Sequence, residues 1–359
     1  TGLSAAVGVS FGALGAGLTG YKMQHRLGGC SEFEFDMVDC SPGLPVTVGV
    51  PGWLEGGDDS AWKVWDESLC DFASDGGEAM ALSWESDSLR KLGGVLVNNI
   101  KSDIQTHAVT FAGTAIVGAT FLALAAPRHL WSQAGWIDNS WQVPENRADK
   151  AGKLLAETLA QRVQGHRPVN LIGFGMGARV IMVCLTHLSD MGEEGKGIVE
   201  SAVVMGTPFS ADAAKWNKAA SVVAHRLVNV YCRTDWVLGI AYRASKLDKE
   251  VAGLQAITPK SAGEPLSGVV ESIDVTGLVG GHWDYRPKLK TLVQLVGLSS
   301  GRVAATSSLL GKMSSAITGS VPPVPGLASV AAMVKGAKLP GQSSSKALTE
   351  HSEADNRPE

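Results

Sequence analysis

Asp235 and His282 are candidates for an acid–base pair. Each follows its own short β-rich run, over residues 226–232 and 269–275 respectively. A histidine can act as a general base when an aspartate fixes its tautomer and stabilises the imidazolium. When such a pair activates a nucleophile on an α/β sheet, the chain order is nucleophile, acid, histidine. The matching nucleophile position is therefore expected upstream of Asp235.

That position falls in a turn of three alternating glycines, Gly173, Gly175 and Gly177. A short apolar run over residues 169–172 precedes the turn and an apolar segment with helical spacing follows it, which predicts strand, tight turn and helix. Serine hydrolases of the α/β type carry G-x-S-x-G here, with serine at the apex. The apex is Gly175, so the sequence predicts the scaffold of a nucleophile turn without its nucleophile.

The same turn predicts an oxyanion hole, a pair of backbone N–H groups aimed at a developing negative charge. One N–H would come from Met176, directly after the apex. The second would come from the turn after an early strand, at Gly52 or Trp53.

Each residue of the predicted triad also has a simpler interpretation. Asp235 could cap the helical segment that follows it, and His282 could be a turn residue. Asp274 and Asp284 are rival acids close to the histidine in the sequence. His187, on the helix after the glycine turn, is interpreted as a packing or surface residue.

A dinucleotide site is a second interpretation of the glycines, because Gly173-x-Gly175-x-x-Ala178 also fits G-x-G-x-x-G/A after a strand. That fingerprint expects an acidic residue about 20 positions on, at the end of the next strand. The next predicted strand ends at Met205 and Gly206, with no acid. We therefore predict no cofactor.

Composition excludes several classes of function. The 359 residues carry a net charge of −4 without a basic stripe, which argues against a nucleic-acid partner. Five cysteines at wide spacings form no C-x-x-C or Cys/His pattern, so we predict reduced thiols and no metal. Since residue 1 is Thr, we expect the natural chain to begin further upstream. The cysteines are Cys30, Cys40, Cys70, Cys184 and Cys232.

Strands alternate with helices along most of the chain, which predicts an α/β fold with a mostly parallel sheet and helices on both faces. The predicted strands lie at 46–50, 79–84, 169–172, 198–205, 226–232 and 269–275. The predicted helices lie near 62–65, at 89–100, at 147–164 and after the glycine turn through residue 188.

Two uncharged apolar runs are candidates for membrane-spanning helices. The first, over residues 2–20, is rich in Gly and Ala, and small residues allow close contact between helices in lipid. The second, over residues 108–126, has about the length that a bilayer requires, and Trp131 and Trp136 beyond it fit an interfacial belt. The alternative for the first run is a Gly/Ala helix packed against protein. The alternative for the second run is a buried core helix or a lid hairpin of a soluble enzyme.

These features divide the chain into three parts. Residues 1–29 form a Gly/Ala-rich apolar helix, and residues 30–298 form the α/β domain with an apolar helical insertion at 107–127. Residues 299–359 are rich in Ser, Ala and Pro and are expected to be partly disordered.

Several longer motifs resemble the transmembrane and coiled-coil domain-containing protein 4 family, a group of α/β-hydrolase-like membrane proteins. The resemblance covers residues 1–297. Its motifs are residues 19–23, 83–86, 138–141, 146–152, the glycine turn at 169–181, 227–229, 235–238 and Gly281-His-Trp-Asp-Tyr285.

The resemblance implies a membrane-associated α/β-hydrolase fold facing the cytosol, with serine expected at position 175 and with a lipid or acyl ester as ligand. Gly175 departs from that pattern. Three accounts fit: a pseudoenzyme that keeps the pocket for binding, an inactivated variant of an esterase or lipase, and weak hydrolysis by water that His282 activates. A non-catalytic membrane scaffold, with protein partners bound through the Gly/Ala-rich helices, is the alternative without an active site.

Overall fold

The computed structural model of the chain describes residues 21–22, 30–39, 44–73, 77–97, 141–235, 237–239, 242, 250–259 and 265–297. The predicted apolar helix at 1–29 lies outside these ranges apart from residues 21–22, which form a strand instead of a helix. The insertion at 107–127 and the tail at 299–359 lie outside them entirely. Among the helices within these ranges, none has the length and apolar character needed to span a bilayer.

The described residues form an eight-stranded sheet with the order β1-β2-β4-β3-β5-β6-β7-β8. β2 pairs antiparallel with both β1 and β4, and every pairing from β4 to β8 is parallel. This order and these directions are those of the α/β-hydrolase fold. The strands are β1 Tyr21–Lys22, β2 Phe33–Asp39, β3 Val46–Val50, β4 Glu78–Trp84, β5 Val169–Phe174, β6 Val199–Met205, β7 Val223–Tyr231 and β8 Val270–Asp274.

The core lies on both faces of the central strands. Every residue of β3, β4 and β5 is buried, which requires cover on both faces because side chains alternate between them. Helix α3 packs on α2 and α4, and α4 also packs on α5, whereas α1 packs on α6. The helices are α1 Ala61–Ala73, α2 Ser86–Gly94, α3 Gln142–Ala160, α4 Met176–Asp190, α5 Ala213–Ala220 and α6 Leu289–Val296.

Helix α4, which begins at the glycine turn, is tied to α3 by a buried arginine. The guanidinium of Arg179 donates to both carboxylate oxygens of Asp149, at 2.7 and 3.0 Å, and lies 3.0 Å from Glu145. It also donates to the carbonyl oxygen of Pro208, in the loop after β6, at 2.8 Å. One side chain therefore fixes the start of α4 against a helix and a strand-end loop.

The predicted strands match β3 to β8 within a few residues, and the mostly parallel sheet is confirmed. Helix α3 begins at Gln142 rather than at residue 147, since Pro144 lies in the first turn, where its missing N–H costs nothing. It ends at Ala160 rather than at 164, and Arg162 beyond it has a positive φ of 56°. The sequence prediction also missed β2, although the alternation of Phe33 and Phe35 with acidic residues has the period of a strand.

Candidate functional site

The glycine turn has the geometry of a strained strand-to-helix elbow. β5 ends at Phe174 and α4 begins at Met176, so Gly175 alone makes the turn, with φ 53° and ψ −124°. Residues other than glycine rarely adopt these angles. The amide of Gly175 donates to the carbonyl oxygen of Met205 at the end of β6, at 2.9 Å. The apex is therefore fixed to the neighbouring strand.

Three other glycines allow the backbone to close around the elbow. A Cβ atom at Gly177 would lie 2.1 Å from the carbonyl oxygen of Val50, and one at Gly52 would lie 2.1 Å from that of Phe174. A Cβ atom at Gly173 would lie 2.9 Å from the backbone of Gly177. Contacts within the protein thus account for these glycines, and the dinucleotide interpretation is not needed to explain them.

Asp235 and His282 meet beneath the apex. Oδ2 of Asp235 lies 2.7 Å from Nδ1 of His282, and the two residues are 0% and 2% exposed. Nε2 of the same imidazole lies 3.2 Å from the position that a Cβ atom of residue 175 would occupy. The structure therefore places Gly175, Asp235 and His282, the three positions predicted from the sequence, next to one another.

Asp235 also caps a turn, so both sequence interpretations of this residue describe real contacts. Its Oδ1 atom accepts the N–H of Leu238 at 3.2 Å, while Oδ2 faces His282. The carboxylate is therefore held from two sides.

The rival acids face elsewhere. Oδ2 of Asp284 accepts hydrogen bonds from the amide of Gly280 at 2.9 Å and from Nζ of Lys288 at 3.2 Å. Asp274 accepts hydrogen bonds from Thr276 and pairs with Arg233 at 2.9 Å. Partial burial raises the pKa of Asp274, but these hydrogen bonds and the arginine outweigh burial and lower it overall.

His187 lies away from the site. It is on α4, with Nε2 3.9 Å from Glu157 of α3. This position is consistent with a packing or surface residue.

The predicted oxyanion residues lie next to the apex. Met176 is the first residue of α4, so its N–H has no acceptor four residues earlier within the helix. The Cα atom of Gly52 lies 3.6 Å from the position of a Cβ atom on Gly175. Trp53 follows, and its buried ring packs edge-on against Phe174 at a centroid distance of 6.3 Å.

Two aromatic residues without a predicted role surround the histidine. The rings of Trp141 and Tyr285 lie 6.0 and 6.1 Å from the imidazole of His282. Tyr285 also covers Gly206, where a Cβ atom would lie 2.5 Å from its ring. Both residues belong to motifs of the family resemblance, which was the signal available in the sequence. They shield the imidazole from water.

The hydroxyl group of Tyr285 is buried and has no hydrogen-bond partner among the described residues. Burial, followed by the negative charge of Asp235, raises the pKa of this hydroxyl well above its ordinary value. The hydroxyl therefore stays protonated next to the Asp235–His282 pair.

The loop that carries the acid is fastened to the loop that carries the histidine. The thiol of Cys232 donates to the carbonyl oxygen of Val279 at 3.2 Å, and burial raises the pKa of this thiol. The amide of Arg233 donates to the hydroxyl of Thr276 at 3.0 Å. These bonds join the segments after β7 and β8.

An open cavity of about 370 Å³ lies beside the site. Its wall includes Trp53, Trp62, Trp283 and Arg286, and neither Gly175 nor His282 lines it. In the part of the chain that the structure describes, no cluster of His, Cys, Asp and Glu could hold a metal ion.

Residues 1–299 match the protein family described as protein of unknown function, DUF726. The transmembrane and coiled-coil domain-containing protein STS1 of Oryza sativa subsp. japonica is 37% identical over 303 residues, which cover 83% of this chain and 43% of that protein. The probable lipase MIL1 of Saccharomyces cerevisiae is 33% identical over 298 residues, 82% of this chain and 26% of that protein.

An uncharacterized membrane protein of Schizosaccharomyces pombe, C6F6.13c, is 37% identical over 284 residues, 77% of this chain and 46% of that protein. The chain thus spans less than half the length of these curated relatives. Among solved structures, the poly(3-hydroxybutyrate) depolymerase LpqC of Bordetella parapertussis aligns over 81% of this chain and 92% of its own, with 15% identity and a TM-score of 0.41.

Proposed function

The chain belongs to the DUF726 family, and we propose that it is a membrane-associated pseudoenzyme of the α/β-hydrolase type that binds a lipid or acyl ester. Within the family we place it with the transmembrane and coiled-coil domain-containing protein 4 group, whose motifs its sequence resembles. In this proposal residues 30–298 form the binding domain. The apolar run at 2–20 and the insertion at 107–127 attach it to the membrane, and 299–359 is a tail.

The observation that carries the proposal is the contact between Asp235 and His282 beneath a glycine elbow. A buried Asp–His pair at 2.7 Å, with its free imidazole nitrogen 3.2 Å from the Cβ position of the apex, is the arrangement that activates a serine. Gly175 has no hydroxyl and cannot attack a carbonyl. The site therefore keeps the base, the acid, the backbone amide of Met176 and that of Gly52 or Trp53, without the covalent route.

The ligand class is inferred from the chemistry of such amides and from the names of relatives. Amides at an elbow bind the carbonyl oxygen of an ester. One relative is named a probable lipase and others are named membrane proteins. An acyl ester of a membrane lipid fits both the chemistry of the amides and the names of these relatives. In this proposal the binding domain lies on the cytosolic side of the membrane.

Restoring the nucleophile tests the site. We expect the full-length chain to be inert to a fluorophosphonate probe and Gly175→Ser to become labelled at Ser. Adding His282→Gln should abolish that labelling, because the serine then has no base. Gly165→Ser is the matched control: it places serine at another glycine of positive φ, 75°, with nothing within 4 Å. It should remain unlabelled.

The result that would overturn the triad is a folded Gly175→Ser chain that stays unlabelled. Lipid that co-purifies with the original chain would support the binding role over a scaffold. Membrane attachment has a separate test: after carbonate extraction the chain should remain in the pellet, and its release into the supernatant would exclude the spanning helices.

A further inference from the structure

A partly buried ion pair joins the loop after β3 to the segment after His282. The guanidinium of Arg286 forms two parallel hydrogen bonds with the carboxylate of Asp59, at 2.6 and 2.8 Å, across 227 residues of sequence. Asp59 belongs to the segment 51–60, which contains Gly52 and Trp53 and which we call the oxyanion loop. The pair therefore spans the two sides of the candidate site.

The two side chains are well placed to hold the loop rigidly. They are 16% and 9% exposed, so water screens the pair little, and a bidentate arginine–carboxylate pair is stronger and more directional than a single hydrogen bond. The guanidinium also lies over the ring of Trp53, 5.2 Å from its centroid. Arg286 thus contacts the oxyanion loop at both of its ends.

The other contacts of the oxyanion loop show why this pair matters. The loop has no helix or strand of its own. Near its start, Trp84 donates to the carbonyl oxygen of Pro51 at 3.2 Å, and Leu54 donates to that of Leu89, also at 3.2 Å. Near its end, Asp59 accepts the amide of Glu55 at 2.6 Å while it is held by Arg286. The carboxylate of Asp59 thus closes the loop on itself through Glu55 and fastens the loop to the histidine side through Arg286.

We propose that Arg286 is a positioning residue: through Asp59 and Trp53 it sets where the amides of Gly52 and Trp53 stand relative to His282. This inference rests on the proposed function, in which those amides receive a ligand carbonyl. Its consequence is that the distance between the base and the oxyanion donors depends on a contact outside the triad.

Hydrogen exchange in the full-length chain tests the positioning without requiring any activity. We expect Arg286→Met to increase amide exchange in the peptide that covers 51–60. The matched control is Arg226→Met, which removes a similar bidentate pair of hydrogen bonds, to Glu271 at 2.8 and 2.7 Å. Arg226 also donates to the carbonyl oxygens of Val296 and Gly297 at the end of α6, at 2.9 and 3.0 Å. None of these contacts involves the oxyanion loop, so the control should leave exchange at 51–60 as in the parent. Asp59→Asn serves as a second variant if Arg286→Met fails to fold.

Labelling kinetics test the consequence for the site. In the Gly175→Ser background, Arg286→Met should lower the maximal rate of fluorophosphonate labelling about 10- to 100-fold, since loss of one oxyanion donor costs about 10²–10³-fold. Arg226→Met should leave that rate unchanged at equal fractions of folded protein. A change in melting temperature alone, without a change in rate, is what a merely structural role predicts.

The outcomes separate the two proposals. Unchanged exchange at 51–60 in Arg286→Met, or a labelling rate equal to that of Gly175→Ser, overturns the positioning role. Absence of labelling in Gly175→Ser itself overturns the triad, and the exchange result then still reports whether Arg286 holds the loop.

Discussion

Nε2 of His282 lies 3.2 Å from the point where a Cβ atom of residue 175 would stand. This distance is shorter than most van der Waals contacts of a real Cβ atom, so a side chain here would displace the imidazole by a few tenths of an ångström. Glycine allows the imidazole to sit closer to the elbow than a serine would. The base therefore remains adjacent to the elbow even though the residue it would serve has no side chain.

Gly175→Ala should destabilise the chain by about 1–3 kcal/mol, because alanine must adopt a φ of 53° and must push against His282. Urea denaturation measures the change. Gly165→Ala separates the two causes, since its φ is 75° and a Cβ atom there meets nothing within 4 Å. If both variants lost the same free energy of unfolding, the displacement of His282 would cost no stability.

Asp235→Asn in the Gly175→Ser background should lower the labelling rate by about 10⁴-fold, as loss of the acid does in Ser-His-Asp enzymes, because the imidazole then takes the wrong tautomer. Asp274→Asn is the control, since Asp274 faces Thr276 and Arg233 instead. If the control lost as much labelling as Asp235→Asn, the acid would be misassigned.

The positions around the elbow could be predicted because parallel strands end at one edge of a sheet. Gly175, Asp235 and His282 each follow a strand, so local patterns and chain order were enough to bring them together. Trp141 and the pair of Asp59 with Arg286 could not be found this way. Trp141 contacts His282, and Asp59 contacts Arg286. These partners are far apart in the sequence, and the periodicity of a local segment does not indicate so distant a partner.

The sequence predicted the strands that are buried on both faces of the sheet better than it predicted the other elements. The strands β3 to β7 contain apolar runs, which mark strands covered on both faces. Helix α5 has only eight residues and begins at Ala213, directly after the N-cap Asp212, whose side chain accepts hydrogen bonds from the amides of Ala214 and Lys215. A capped helix this short is specified by its cap and by packing rather than by periodicity, so the pattern of apolar residues did not reveal it.

Gly177→Ala should prevent folding or destabilise severely, because its Cβ atom would lie 2.1 Å from the carbonyl oxygen of Val50 and 2.7 Å from that of Pro51. Both atoms are backbone and cannot rotate away. Gly56→Ala is the control, since a Cβ atom there meets nothing within 4 Å, and it should change the unfolding free energy little. A soluble Gly177→Ala chain with the parent's melting temperature would show that the elbow packs more loosely than the distances indicate.

Tyr285→Phe should stabilise the chain by about 1–3 kcal/mol, because it removes a buried hydroxyl that has no partner among the described residues. Burial raises the pKa of this hydroxyl above its ordinary value of 10.0. The unfolded chain therefore releases the proton first, and stability falls as the pH rises above 10.0. The variant should lack this part of the alkaline loss, and identical alkaline unfolding curves for variant and parent would contradict the assignment.

Glu271 should make the stability of the chain sensitive to acid. Its carboxylate accepts two hydrogen bonds from Arg226, at 2.8 and 2.7 Å, and these bonds lower its pKa from the ordinary value of 4.5. The unfolded chain therefore binds a proton before the folded one, so the stabilisation is complete above pH 4.5 and is lost as the pH falls below it.

Glu271→Gln should consequently cost about 0.5–1 kcal/mol at neutral pH, a modest value because the carboxylate is partly exposed. The cost should shrink as the pH falls below 4.5, where the parent loses the same contribution. Thermal unfolding at a series of pH values measures this difference. In an Arg226→Met background the substitution should have little effect at neutral pH, because the main partner is gone. A cost that persists there, or that grows in acid, would show that Glu271 stabilises the fold through another contact.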